Sequence, residues 1–164
     1  MTGWLTDDEQ RLWRAYLDAQ RCLAASVEAQ LGTAGLSGAD FALLVPLSEE
    51  PAGALRPREL GVRTGWDRSR LSHQLRRMEQ RGLVRRTTCE TDARGTVVEL
   101  TDVGRRAVEA VAPEHVATVR ASFVDLLTPV EVETLTAVFE RVRDAAPPAA
   151  CAGTGGPDAA CDDD

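Results

Sequence analysis

The run Asp92-Ala93-Arg94-Gly95-Thr96-Val97-Val98-Glu99-Leu100-Thr101-Asp102-Val103-Gly104 changes character twice. Its polar, Gly-containing start suits a turn, Thr96 to Leu100 is rich in β-branched residues, and Thr101 stands where a hydroxyl can cap a new helix. A second Val- and Thr-bearing run, Leu83 to Cys89, precedes it across Glu90-Thr91-Asp92-Ala93-Arg94-Gly95. Two short β-prone runs with a polar connection predict a hairpin. The fold class then depends on what flanks that hairpin.

Upstream, Asp67 reads as a helix N-cap and Gly82 as a C-terminal stop, bracketing a helix that runs to Arg81. Before it, Pro57 fits the first position of a short helix that carries Leu60 and ends near Gly65. Helix, tight Gly-containing turn, helix is a helix-turn-helix outline. Further back, Ser37 with Asp40 opens a helix whose expected apolar face is Phe41, Leu44 and Val45, closed by Glu50-Pro51. Thr6 and Glu9 form a capping box ahead of Leu12, Trp13, Tyr16, Leu17, Leu23, Ala24, Val27 and Leu31, which keep a helical period. Run to about Leu31, this helix is roughly 39 Å long at 1.5 Å per residue, more than a small core covers on one side.

Downstream, Thr101 caps a fifth helix in which Pro113 predicts a kink or break. Apolar spacing resumes through Val116, Val119, Phe123, Leu126 and Leu127. Thr128-Pro129-Val130-Glu131 joins an N-cap, a first-turn proline and a capping-box glutamate, and starts a sixth helix with the stripe Leu135, Val138, Phe139 and Val142. So small a chain leaves that stripe and the first helix without enough to pack on. Leu12, Trp13, Tyr16, Leu126, Leu135, Val138, Phe139 and Val142 are therefore candidate contacts with another chain. Residues 146–164 hold no large apolar side chain that could offset ordering entropy, and are expected to form a disordered tail.

The chain has 164 residues, about one domain, and a net charge of −7. Between Arg56 and Arg106 thirteen arginines stand against seven acids, a balance of +6, so −13 lies outside that window. A basic module between acidic flanks is expected when one face meets a polyanion; a merely solvated basic face gives the same count. No apolar run approaches the roughly 20 residues of a membrane span, so a cytoplasmic protein with no membrane partner is expected. Cys22, Cys89, Cys151 and Cys161 lack C-x-x-C spacing, and His73 and His115 are the only histidines, so neither a metal nor a cofactor is expected. No Walker-type loop, dinucleotide fingerprint or nucleophile-base set is spelled out, which argues against an enzyme.

At 100° per residue, Leu71, Leu75 and Met78 cluster on one face of the fourth helix, while Ser69, His73, Arg76 and Gln80 point the other way, flanked by Ser72 and Arg77. An apolar back with a Ser, His, Gln and Arg front suits a major groove, although any solvated amphipathic helix is polar outside. Arg68, Ser69, Arg70, Ser72, His73, Arg76 and Arg77 are its candidate DNA contacts. Arg85 and Arg86 lie on the first strand. Arg94 stands at the hairpin tip, where a guanidinium can enter a minor groove, and Asp92 is placed to orient it or to cap the turn.

The stretch from Asp92 to Gly104 resembles the wing signature of the multiple-antibiotic-resistance regulator (MarR) family: Asp-x-Arg, a hydrophobic strand, then Leu-Thr-x-x-Gly. Leu75-Arg76-Arg77-Met78-Glu79-Gln80-Arg81-Gly82-Leu83-Val84 resembles that family's exit from the recognition helix into the wing. The resemblance spans about Thr6 to Ala145. It implies a mainly α fold with a small β-hairpin wing, a winged helix-turn-helix domain over residues 1–145. Its DNA-binding lobe would be about 37–104, with dimerisation helices at about 6–31 and 105–145. It also implies a homodimer on a pseudo-palindromic operator in double-stranded DNA, with repression relieved by a small-molecule effector. One branch of the family senses hydroperoxides through a first-helix cysteine, and Leu17-Asp18-Ala19-Gln20-Arg21-Cys22 is similar to that segment, which makes Cys22 a possible redox site. That branch orients its thiol with tyrosines, whereas Tyr16 is the single tyrosine here.

Overall fold

The computed structural model describes residues 3–88 and 96–146. In chain order the elements are α1 (Asp7–Thr33), α2 (Gly38–Glu49), β1 (Ala54–Leu55), α3 (Pro57–Thr64), α4 (Arg68–Gln80), β2 (Val84–Thr88), β3 (Thr96–Leu100), α5 (Asp102–Ser122), a 3₁₀ turn at Val124–Leu126, and α6 (Pro129–Ala145). Thr6, Ser37 and Thr128 each close a reciprocal capping box with Glu9, Asp40 and Glu131, so three helix starts are fixed by local hydrogen bonding alone.

The core gathers on α2. Leu43, Leu44 and Leu47 are fully buried, while Phe41 and Val45 are only half-buried. The expected face of Phe41, Leu44 and Val45 is thus corrected: α2 packs against α1, α3, α4, α5 and β3, and is apolar nearly all round, so no single stripe marks its interior side. Leu31, Leu36, Leu55, Leu60, Leu71, Leu75, Met78, Leu83, Val84, Val98, Val108 and Val111 complete the cluster.

β2 and β3 pair antiparallel from Val84↔Leu100 to Thr88↔Thr96. The hairpin is the larger part of a three-stranded sheet of order β1-β3-β2, in which Ala54 pairs with Glu99 and Leu55 with Val98. β1 escaped the sequence reading because two residues carry no readable period. The hairpin tip with Cys89, Asp92 and Arg94, and the expected disordered tail beyond Ala146, lie outside the described residues.

A clamp joins this sheet to α5. Thr101 Oγ1 donates to the Gly82 and Leu83 carbonyls at 2.6 and 3.0 Å while accepting from the Gly104 amide at 3.0 Å. Gly104 is buried, and a β-carbon there would stand 2.1 Å from the Leu83 carbonyl oxygen. The Leu-Thr-x-x-Gly pattern therefore has a mechanical meaning: it seats the first turn of α5 against the turn that ends α4.

Of the kink or break expected at Pro113, the break does not occur, since α5 runs from Asp102 to Ser122. Pro113 and Glu109 are both exposed, so water can serve the Glu109 carbonyl that loses its N–H partner, and packing against α1 supports the helix. At the periphery α1 contributes only Gln30 and Leu31 as buried residues, and α6 contributes none. Among the described residues no single helix is long and apolar enough to cross a membrane.

Candidate nucleic-acid interface

Helix α3 ends on Gly65, whose φ of +67° is the left-handed conformation that glycine adopts without penalty. The Trp66 amide donates back to the Gly61 carbonyl at 3.1 Å. Asp67 then caps α4, accepting from the Arg70 amide at 2.9 Å. These few residues set the angle between the two helices.

Leu71, Gln74, Leu75 and Met78 form the buried face of α4. Arg68, Ser69, Arg70, His73, Arg76 and Arg77 are exposed and Ser72 is half-buried. The exposed ridge is flanked by two open clefts. One, of about 530 Å³, is lined by Ala39, Trp66, Asp67, Ser69, Arg70, His73, Gln74 and Arg77. The other is lined by Arg68, Ser69, Ser72, His73 and Arg76. Ser69 and His73 border both. The Arg70 guanidinium lies 4.1 Å from the centre of the Trp66 ring, a cation–π contact that fixes the arginine without neutralising it.

The arginines divide into two groups. Arg85 pairs with Glu99 at 2.6 Å. Hydrogen bonds from Thr87 and Arg85 hold the Glu99 carboxyl below the usual carboxylate range. Arg86 reaches Glu79 and the Ser72 carbonyl, both at 3.3 Å, and so braces β2 against the flank of α4. Arg63 bridges Glu50 and Glu59. Among the described residues Arg68 and Arg76 have no ion-pair partner, which leaves their charge for a ligand. The strand arginines thus serve the scaffold, and the cations of the α4 ridge remain available.

Three residues that the sequence reading left out of the site stand behind this ridge. Asp40, 1% exposed, accepts from Ser37 N and Oγ, from Arg81 at 2.7 Å and from Gln74 Nε2 at 2.7 Å. Burial pushes its carboxyl up, but the Ser37 and Arg81 hydrogen bonds and the Arg81 charge outweigh it and leave the group below its ordinary value. Arg81 also donates to the Gly35 carbonyl at 2.5 Å. Gln74 carried a readable signal, a polar residue on an otherwise apolar stripe. Asp40 reads from the sequence only as a capping residue.

The proposed partner-facing residues lie on α1, the 3₁₀ turn and α6. Leu12, Trp13, Tyr16, Leu126, Phe139 and Val142 are exposed, Leu12 and Leu126 each at 72%, whereas Leu135 and Val138 are half-buried. Trp13 and Tyr16 stack with ring centroids 5.5 Å apart. Cys22 is an exposed free thiol on α1. Gln30 Nε2, Gln30 Oε1 and His115 Nδ1 are buried polar atoms with no hydrogen-bond partner among the described residues, and the His115 ring lies 4.5 Å from that of Phe41.

A helix-turn-helix followed by a pair of antiparallel strands is a winged helix-turn-helix, a DNA-binding architecture. The sequence pattern of the MarR family matches residues 34–95. AbsC, a MarR family transcriptional regulator from Streptomyces coelicolor, is 42% identical, with 87% of this chain and 97% of that one covered and a TM-score of 0.84. Sco3205 of the same organism and family, solved in complex with DNA, is 39% identical over 88% of this chain and 91% of that one, also with a TM-score of 0.84. PcaV, a Streptomyces coelicolor transcriptional regulator solved with its natural ligand, is 25% identical over 90% and 99%, with a TM-score of 0.68. No curated protein sequence matches. The chain belongs to the MarR family of transcriptional regulators.

Proposed function

We propose that this protein is a ligand-responsive repressor that binds a pseudo-palindromic operator as a homodimer, with α4 in the major groove and the wing on the neighbouring minor groove. The observation that carries this reading is the division of α4 into a buried apolar back and an exposed ridge where Arg68 and Arg76 have no ion-pair partner among the described residues. Sco3205, similar over most of its length, was solved on DNA, which supports the same mode here. On this reading residues 37–104 form the DNA lobe, and the helices on either side form the dimer region.

Exposed large apolar side chains on α1, the 3₁₀ turn and α6 support the homodimer, because apolar surface gathered on neighbouring exposed elements of a small chain marks an association surface. The unpartnered polar atoms of Gln30 and His115, on the mutually packed α1 and α5, support an effector reading, since buried polar groups ordinarily have partners. Thiol sensing through Cys22 is the second reading, favoured by the exposure of that thiol. Against it, Tyr16 is engaged with Trp13. A Cys22→Ser variant that keeps a normal response to small molecules decides for the effector.

Selection of duplexes from a random pool, followed by footprinting, tests the whole reading. The expected result is an inverted repeat whose half-sites lie about one helical turn, 10 to 10.5 base pairs, apart. Recovery of no enriched sequence, or binding that persists unchanged at high salt, contradicts it.

A further inference from the structure

Gln74 sits in the middle of α4 with only 3% of its surface exposed, on the stripe otherwise made by Leu71, Leu75 and Met78. A buried amide needs partners at both ends, and both are present. Gln74 Nε2 donates to Asp40 Oδ1 at 2.7 Å, and Gln74 Oε1 accepts from the Arg77 guanidinium. The order is not interchangeable. An ionised Asp40 can only accept, so it dictates that the NH₂ end of the amide faces it and the carbonyl faces away. Only a donor can then sit on the far side, and that donor is Arg77.

The chemistry of the tether matters as much as its geometry. Arg85 and Arg86 are held by carboxylates, which spend their charge inside the protein. Arg77 is held by a neutral carbonyl, so it is oriented and still carries its full charge. The Asp40 charge is balanced at its other oxygen by Arg81, which draws no compensation from Arg77. An arginine whose rotamer is chosen in advance loses less freedom on meeting a phosphate or a base edge. Arg77 also lines the larger cleft beside the ridge, on the same side as His73 and Arg70.

We propose that Gln74 and Asp40 are positioning residues, which act through the relay Asp40–Gln74–Arg77 to set the Arg77 guanidinium for contact with DNA. This rests on the reading that α4 is the helix that meets DNA.

The test is a double-mutant cycle on the full chain, with a duplex selected from a random pool by the wild-type protein. Gln74→Met keeps the length of the side chain and removes both hydrogen bonds. It is expected to weaken binding about five-fold in the wild-type background and less than about two-fold in an Arg77→Ala background. Equal losses in both backgrounds would mean that Gln74 acts through general stability, and would overturn the relay while leaving the α4 reading intact. Unchanged binding in Arg77→Ala would also overturn the relay. If Arg76→Ala were silent as well, the α4 reading would fall with it. A second measurement needs no variant: in ¹⁵N NMR of the free wild-type protein, the Arg77 guanidinium should rotate more slowly than that of Arg76. Equal rotation rates would overturn the proposal.

Discussion

Gly104 faces the carbonyl of Leu83 so closely that its missing side chain is itself a structural element, with a β-carbon placed 2.1 Å from that oxygen. The obstacle is backbone, and backbone cannot swing aside as a flexible side chain can. Gly104→Ala should therefore cost about 3 kcal/mol, the upper end of ordinary overpacking, by pushing the first turn of α5 off the sheet. Chemical denaturation measures it, and a loss below about 1 kcal/mol would mean that the clamp yields.

Asp40 links stability to pH. Its folded-state carboxyl is held below its ordinary value, so the unfolded chain takes up this proton first as pH falls. The stabilisation is complete above the ordinary aspartate value of about 3.9 and is lost as pH drops through the lower folded value. Asp40→Asn should lose about 2 kcal/mol near neutrality, where charged hydrogen bonds are broken, and its acid slope should be shallower than that of the wild type. Some slope remains, because Glu9, Glu99 and Glu131 are shifted the same way. Unfolding curves from about pH 6 down to about pH 2, across and below the ordinary aspartate value, decide it, and identical slopes would refute the assignment.

Phe139 is 46% exposed in a single chain and lies on α6 with Val142. Burying such a side chain contributes about 1.5 to 3 kcal/mol, so an ionised residue there opposes association strongly. Phe139→Glu should give a monomer in analytical ultracentrifugation and abolish operator binding. Truncation before Thr128 should give a monomer or an aggregate. A dimer that survives both changes would place the interface elsewhere.

Arg94 tests the wing by a different route. A minor-groove or phosphate contact reads charge and groove width, so Arg94→Ala should weaken binding to good and poor operators by similar factors. The slope of log affinity against log salt should fall by about one unit if one phosphate contact is lost. Unchanged affinity in the salt titration would remove the wing from the mechanism.

Local chemistry decided which features could be read in advance. Leu71, Leu75 and Met78 were legible because α4 has one dominant packing face, and the capping boxes at Thr6 and Thr128 because their partners lie three residues away. The Asp40–Gln74 bond spans 34 positions, and no short-range period announces it. The interior side of α2 was hidden because that helix is apolar nearly all round. Whether Pro113 would end α5 could not be read from the sequence, because the cost of a helical proline depends on whether water reaches the orphaned carbonyl, a property of the folded surface. The candidate DNA ridge came from spacing alone, while the residues that brace it required the tertiary structure.

The central claim is that the exposed ridge of α4 reads sequence, and Arg76 is its cleanest probe, being exposed and without an ion-pair partner among the described residues. Fluorescence anisotropy of wild type and Arg76→Ala, on a selected operator duplex and on a scrambled duplex of the same composition, measures it directly. The account predicts a loss of about 1 to 3 kcal/mol on the operator and a smaller loss on the scrambled duplex, which narrows the specificity ratio. Wild-type affinity for both duplexes, in Arg76→Ala and in His73→Ala alike, would contradict it and assign DNA recognition to another face of the protein.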